Sequence, residues 1–163
     1  ALRKDVEGEL QRTEEASAKE KYYGELLDKL AEKSKIDVPA VMIDNQVPQM
    51  RQQFEQNLMY RGLNLPDYLA QIGKDEKQWE AEDLRQSAEK QIRNALAMQQ
   101  FIHDYNITVS DEDIDARQAE ILSHYNNPKM QENFKTPEAR RHMHEQLLTD
   151  RAHAKLAELN EGK

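Results

Sequence analysis

Apolar residues recur along this chain every three or four positions, which is the spacing of one face of an α-helix. The clearest repeat follows Pro39 and consists of Ile43, Val47, Met50, Phe54 and Leu58. Pro48 interrupts this stretch, so we expect either a kink near residues 44–48 or two consecutive helices. No stretch of useful length alternates apolar and polar residues as a half-buried β-strand does, and no internal repeat is found.

Glycine and proline divide the chain into helices, since each is present only five times. Helices are expected to begin near Pro39, Pro66 and Pro137 and to end near Gly62 and Gly73. The predicted helices cover residues 2–34, 39–61, 66–72, 75–105, 110–125, 129–134 and 137–158. The early half of the first helix is so polar that we expect it to project alone or to pack on a partner outside this chain. The pattern predicts an all-α, elongated multi-helix domain with no sheet.

The composition fits a thin core better than a compact sphere. Leu, Ile, Val and Phe make up 32 of the 163 residues, 33% of the residues are charged, and the mean hydropathy is −1.00. Long helices suit such a composition because each of them needs only one apolar stripe. The length is typical of one domain, and we expect residues 1–163 to form a single one. The opening Ala1-Leu2-Arg3-Lys4 is already helix-like and lacks Met, so we interpret the chain as a piece of a longer protein.

The net charge of −8 argues against nucleic acid and anionic membrane surfaces as partners, since an acidic chain gains nothing from counterion release. No apolar run approaches the roughly 18 residues of a membrane span, and no signal-peptide core is present. The chain has no Cys, which excludes disulfides and thiolate zinc sites and suits a reducing cytoplasm.

No arrangement of residues predicts catalysis. His142 and His144 are only two positions apart and therefore face different sides of a helix, which does not suit a zinc site. Asp111, Glu112 and Asp113 are better explained by a helix N-terminus than by a cation site, because the glycine and closing glutamate of a calcium loop are missing. The usual nucleophile and phosphate-binding motifs are also missing from the sequence. We therefore expect no enzyme activity, no metal and no cofactor in this segment.

The second predicted helix is rich in residues that suit irregular partners. Met42, Met50 and Met59 lie on it together with Phe54 and Tyr60, and flexible, polarizable thioethers adapt to many apolar surfaces. Such a stripe is ordinary core or, if so polar a chain cannot cover all of its helices, an open binding groove. Both interpretations stay open at this point.

Several segments, in order along the chain, resemble the trigger factor family of bacterial ribosome-associated chaperones. The matching segments are Ile36–Asp44 (IDVPAVMID), Gly62–Gly73, Ala88–Ile102, Asn106–Ile114 (NITVSDEDI) and Tyr125–Phe134. Together they extend over nearly the whole chain. The departures from the family pattern are Pro48, where the family usually continues a plain helix, and Asn45-Gln46, which replace a more acidic pair.

The resemblance implies a fold and a role. Family members combine a ribosome-docking domain, a prolyl isomerase domain and a discontinuous helical domain whose arms cradle unfolded chains, and this chain is similar to the C-terminal helical domain alone. It therefore implies arm-like helical protrusions, ATP-independent binding of nascent or unfolded polypeptides, a cytoplasmic location and a link to cell division. The docking and isomerase domains would lie outside this chain, so the ribosome would be reached only through the missing N-terminal domain. The chain itself could form a weak homodimer.

Two groups of apolar residues are the expected polypeptide contacts, because their positions resemble the binding surface of the family's arms and inner face. The first group is the stripe Ile43, Val47, Met50, Phe54 and Leu58. The second group is Ile121, Tyr125, Met130 and Phe134. Two other interpretations stay open, namely a helical adaptor or dimerisation module for one folded partner and the helical core of a periplasmic chaperone-isomerase.

Overall fold

The structure, a computed structural model, describes residues 2–124 and 128–161, without the side chains of residues 2–7, 9 and 128–130. Its helices are α1 (Leu2–Lys33), α2 (Ala40–Tyr60), α3 (Leu65–Ile72), α4 (Glu76–Trp79), α5 (Arg85–Asp104), α6 (Asp111–Ser123), α7 (Pro128–Asn133) and α8 (Pro137–Glu161). A π-helical segment, Glu80–Leu84, connects α4 to α5. These ranges contain no β-strand, which confirms the all-α prediction. No helix within them is both long enough and apolar enough to cross a membrane.

Helices begin and end close to the residues that the turn signals predicted, because many of the ends are capped. Gly62 and Gly73 adopt left-handed backbone conformations just after α2 and α3, with φ of 71° and 67°. The Asn64 side chain accepts a 2.9 Å hydrogen bond from the Asp67 amide at the start of α3. At the start of α4, Asp75 forms a capping box with the residue three positions on.

Helix α2 continues through Pro48 as one helix, so the alternative of two consecutive helices is wrong. It begins at Ala40, and Pro39 is its capping residue rather than its first helical residue. Pro48 and Asp44 are both exposed, and the carbonyl that loses its hydrogen-bond donor at a proline can therefore be hydrated. The proline is tolerated because it lies away from the face that packs.

The predicted helix over 75–105 is interrupted by the π-helical segment. A π-helical turn bonds each amide to the carbonyl five residues back and so brings residues five apart onto one face. Trp79 and Leu84 are five apart, and they are only 3% and 5% exposed; Ala88 extends the same buried face. In a regular α-helix a spacing of five would turn Leu84 away from Trp79. The π-helical segment therefore lets Trp79, Leu84 and Ala88 face the same core although their spacing does not fit a regular α-helix.

The chain forms two compact units. We name Asp28–Ala97 the central unit and Ala1–Leu27 with Met98–Lys163 the terminal unit. The core of the central unit consists of Val47, Leu58, Leu65, Leu69, Trp79, Leu84 and Ala88. In the terminal unit α6 packs against α8, and Ile114 and Met143 are buried. That the whole chain is one domain of the family stays a prediction.

Candidate binding surfaces

The first predicted contact group lies on the inner face of α2, where it packs into the core of the central unit. Val47 and Leu58 are 7% and 4% exposed and belong to the core cluster. Ile43, Met50 and Phe54 are partly buried and pack against that cluster. The five residues therefore share one face, as their spacing predicted, but the central unit itself covers that face.

Aromatic side chains from the short elements after α2 cover its inner face. The Phe54 ring meets the Tyr68 ring edge-on with centroids 5.0 Å apart, and it meets the Trp79 ring at 5.2 Å. Aromatic pairs at such distances add to the stability that burial provides. A bound polypeptide would reach Val47 or Leu58 only if α2 separated from these neighbours.

Charged residues at the edge of this core join α2 to the elements that follow α3. Arg51 pairs with Glu76 and with Glu80, the latter at 3.5 Å. Hydrogen bonds, above all the one to Glu76, raise the pKa of the Arg51 guanidinium. Asp44 pairs with Arg85 at 2.8 Å. Each exposed pair adds little stability by itself, but together they favour the orientation in which the inner face of α2 is covered.

The second predicted contact group lies in the terminal unit. Ile121 on α6 and Phe134 just after α7 are both half-buried. The Gln118 side-chain amide donates a 2.7 Å hydrogen bond to the Phe134 carbonyl, which holds this turn beside α6. Tyr125 and the side chain of Met130 lie outside the described residues. The structure therefore places Ile121 and Phe134 in the same unit and leaves part of each side chain accessible.

Large apolar side chains outside both predicted groups are exposed. On α2 they include Val41 at 62%, Met59 at 73% and Tyr60 at 90% exposed. Met59 and Tyr60, together with Gln56, line an open cavity of about 490 Å³. Met59 and Tyr60 belong to the methionine-rich pattern seen in the sequence. Neither they nor Val41 were placed in a contact group, because all three fall outside the regular repeat that forms the inner face. The remaining exposed members of this kind are Leu10, Tyr22, Met42, Ile72, Tyr105 and Leu159.

A second open region lies in the terminal unit, between α1 and α8. The Tyr23 ring stacks on the His153 ring with centroids 4.8 Å apart, and the Lys19 ammonium lies 5.6 Å from the Tyr23 centroid. Burial lowers the pKa of the His153 imidazole, and the charge of Asp150 opposes this shift in part. His153 is therefore neutral near pH 7 and can share an apolar environment with Tyr23.

The start of α6 is fixed by a carboxylate that also binds α8. The Asp113 carboxylate accepts hydrogen bonds from the Ser110 backbone amide at 2.8 Å and from Arg151 at 2.6 Å. These bonds, the Ser110 amide first, lower the pKa of the Asp113 carboxyl to about 2. Arg151 also donates a 2.6 Å hydrogen bond to the Thr108 carbonyl. The acidic cluster after Ser110 is thus part of a helix start, as predicted.

Two of the histidines contact polar neighbours on their own helices. Among the residues that the structure describes, no group of three or more His, Asp or Glu side chains could hold a metal ion. His142 lies 3.0 Å from the Gln146 side chain, and His103 lies 3.4 Å from Asp104.

These observations first define a class, namely an all-α domain in which one apolar helix face is covered and other apolar side chains stay exposed. The chain belongs to the family described as the C-terminus of the bacterial trigger factor protein, which matches residues 1–158. The match confirms the resemblance seen in the sequence and supports a general chaperone role. The matched region is the C-terminal chaperone domain, and the isomerase activity of trigger factor lies in a separate domain.

Curated trigger factors align with most of this chain. The trigger factor of Bacillus subtilis is 34% identical over 119 residues, which make up 73% of this chain and 28% of the relative. That of Halothermothrix orenii is 31% identical over 120 residues, 74% of this chain and 28% of the relative. That of Anoxybacillus flavithermus is 30% identical over 126 residues, 77% of this chain and 29% of the relative. The chain therefore spans less than a third of the length of these relatives.

Proposed function

We propose that this chain binds exposed apolar segments of nascent or unfolded polypeptides without ATP and prevents their aggregation. The observation that carries the proposal is the exposure of large apolar side chains such as Val41, Met59 and Tyr60 in a member of a chaperone family. Each apolar side chain of a client that becomes fully buried contributes up to about 1.5–3 kcal/mol. Ordering the client opposes most of this gain, so we expect weak binding that reverses without a nucleotide.

In the terminal unit we propose that the client contacts Ile121, Tyr125, Met130 and Phe134. The accessible parts of Ile121 and Phe134 support this assignment, because a half-buried apolar side chain can still bury further surface on binding. The inner face of α2 contributes only through its partly exposed residues, since its buried ones form the core.

The clients, the ribosome contact, the compartment and the oligomeric state are proposed from the family. Clients are nascent or unfolded polypeptides, and the net charge of −8 favours basic ones such as new ribosomal proteins. Contact with the ribosome belongs to the family's N-terminal domain, the compartment is the cytoplasm, and self-association is limited to a weak homodimer. Sedimentation velocity over a range of protein concentrations would measure that dimer.

The central test is the aggregation of two unrelated proteins, citrate synthase and luciferase, after dilution from guanidinium. We expect this chain, at several-fold molar excess, to lower the light scattering of both proteins equally with and without Mg-ATP. An adaptor for one folded partner would leave both aggregation curves unchanged, and that result would overturn the proposal.

The contact residues are tested with Phe134→Ala, since Phe134 is the half-buried aromatic of the second group. We expect about threefold weaker client capture, which corresponds to the loss of part of one apolar contact, with little change in melting temperature. Glu132→Ala, an exposed position of α7, is the matched control, and Phe134→Leu should restore capture. Tyr125→Ala should behave as Phe134→Ala does. A sharp fall in melting temperature would identify Phe134 as a core residue instead.

A further inference from the structure

The methionine side chains that the structure describes differ widely in their exposure to solvent. Met59 is 73% and Met42 is 38% exposed, and both lie on α2. Met98 and Met143 are only 8% and 3% exposed, and Met50 is partly buried against the core of the central unit. The fold therefore protects some thioethers from dissolved molecules and leaves that of Met59 accessible.

The surroundings of Met59 are open and uncharged. Met59 lies one residue before the end of α2, and together with Gln56 and Tyr60 it lines the open cavity of about 490 Å³. Both of these neighbours are exposed, and both are uncharged near pH 7. A small neutral molecule such as hydrogen peroxide can therefore reach the Met59 sulfur without entering the interior of the protein.

The absence of cysteine directs oxidation of this chain toward methionine. The sequence has six methionines and no cysteine. An exposed cysteine thiolate would react with peroxide and so compete with the thioethers, but this chain offers none. The only tryptophan, which is another oxidisable side chain, is 3% exposed. An accessible methionine sulfur is therefore the atom of this chain that we expect peroxide to oxidise first.

We propose that Met59 is a reversible oxidation site through which peroxides weaken client capture by this chain. This inference rests on the proposed function and adds a means of regulation to it. A lone pair of the Met59 sulfur attacks one peroxide oxygen, and the sulfur–oxygen bond forms as the oxygen–oxygen bond breaks. The sulfur is oxidised by two electrons and the peroxide is reduced. The departing hydroxide takes the remaining proton and leaves as water, so that the product is methionine sulfoxide.

Oxidation would replace an apolar contact with a polar group. The sulfoxide is polar, and its oxygen loses hydrogen bonds with water when an apolar client side chain covers it. Because Met59 is exposed in the folded chain, the same change leaves the core intact. Methionine sulfoxide reductases convert the sulfoxide back to the thioether, with two thiols oxidised to a disulfide and the oxygen released as water. Client capture would therefore recover after the oxidant has been removed.

The first measurement is the rate of oxidation at each methionine. The chain is treated with hydrogen peroxide, the reaction is stopped with catalase, and peptide mass spectrometry gives the fraction of sulfoxide at each position. In the folded chain we expect Met59 to react at least about tenfold faster than Met143. In guanidinium the two should react equally, because the fold no longer protects Met143. Equal rates in the folded chain would overturn the proposal.

The second measurement is client capture before and after oxidation. The client is fluorescently labelled α-lactalbumin, kept unfolded by reduction and carboxymethylation and added only after the peroxide has been destroyed. We expect its Kd, measured by fluorescence anisotropy, to rise about threefold on oxidation and to return after treatment with a methionine sulfoxide reductase. The melting temperature should stay the same. A sharp fall in melting temperature would identify the oxidation as damage to the fold and would contradict the proposal.

Matched variants assign the effect to one methionine. Met59→Leu and Met42→Leu each replace a thioether with an apolar side chain of similar volume that peroxide does not oxidise. The ratio of Kd after oxidation to Kd before it should be about three in Met42→Leu and about one in Met59→Leu. Met59→Gln introduces a polar group without any oxidant, and this untreated variant should capture the client as weakly as the oxidised chain does.

The outcomes separate this inference from the proposed function. If the unmodified chain captures the client equally well before and after Met59 is oxidised, the regulation is wrong and the chaperone function stands. If Met59→Leu responds to oxidation as strongly as the unmodified chain, another methionine is responsible and the assignment to Met59 is wrong. If the unmodified chain neither captures the client nor suppresses aggregation, both proposals fail.

Discussion

The long helices α2 and α1 differ in how much of their surface is covered by neighbouring elements. In the central unit the inner face of α2 is covered by aromatic and aliphatic residues of the next elements, and Trp79 is only 3% exposed. In the terminal unit residues 10–22 of α1 are exposed around the whole helix, as its polar sequence predicted. A helix face becomes core only where apolar residues of neighbouring elements reach it. The periodicity of a sequence predicts the existence of a face, but the neighbours decide whether that face is covered.

The largest expected effect is at Trp79, which several elements of the central unit surround. Trp79→Ala should lower the free energy of unfolding of that unit by about 3–5 kcal/mol, because a large buried side chain leaves a cavity. Urea unfolding followed by circular dichroism at 222 nm measures the change. Tyr22→Ala, on the exposed part of α1, is the control and should stay within about 0.5 kcal/mol. Equal losses of unfolding free energy in the two variants would contradict the difference in burial between Trp79 and Tyr22.

Two consecutive residues of α2 test which of its faces is covered. Leu58 is 4% and Met59 is 73% exposed, so Leu58→Ala should cost about 2–5 kcal/mol and Met59→Ala about 0.5 kcal/mol or less. Trp79 is the only tryptophan of the chain, and its fluorescence during urea unfolding reports on the central unit. A large loss in Met59→Ala would mean that the side of α2 that carries Met59 is covered in solution.

A smaller loss of stability should test whether the two units unfold independently. Ser110 caps α6 in the terminal unit, where its hydroxyl accepts a 3.2 Å hydrogen bond from the Asp113 amide. Ser110→Ala should cost about 1 kcal/mol and shift the circular dichroism transition, while the Trp79 fluorescence transition stays in place. Ser110→Thr keeps the cap and serves as the control. A shift of both signals would show that the units unfold together.

The smallest expected effect is a pH dependence from the stack of Tyr23 on His153. The pKa of His153 is lowered by burial from its ordinary value of 6.5, so below that pH the unfolded state binds a proton more readily than the folded state. The contribution of neutral His153 to the free energy of unfolding is therefore complete above pH 6.5, and it falls as the pH drops toward the pKa of His153 in the folded state. His153→Phe keeps a ring in the stack without titration. Between about pH 7.5 and 5.5, the melting temperature of the unmodified chain should fall further than that of His153→Phe. Identical decreases in the two proteins would contradict the assignment to His153.

Helix ends could be predicted because they depend on residues next to them in the chain. Gly62 and Gly73 have the left-handed backbone that glycine permits, and Asn64 and Ser110 cap the helices that they precede. The acidic residues after Ser110 were likewise explained as a helix start. The interruption at Glu80–Leu84 could not be predicted from periodicity, because it depends on Trp79 and Leu84 packing into the same core.

The candidate surfaces were predicted less completely. The repeat of the first group correctly placed its members on one face of α2, but nothing in the spacing could tell a covered stripe from an open one. The exposed Met59 and Tyr60 follow the buried Leu58 directly, and their accessibility depends on where α2 ends relative to its neighbours. Ile121 and Phe134 were assigned because their positions resemble the binding surface of the family. Their contact with a client stays a proposal.

By itself, the sequence determined the helical class, the positions of most helix ends, the acidic and polar character of the chain and its family. Local hydrogen bonds and backbone preferences decide the helix ends, and both act over a few neighbouring residues. Only the tertiary structure decided which face of α2 is core and which face stays exposed. It did so because burial depends on residues far apart in the chain, such as Phe54 and Trp79, whose rings meet at 5.2 Å.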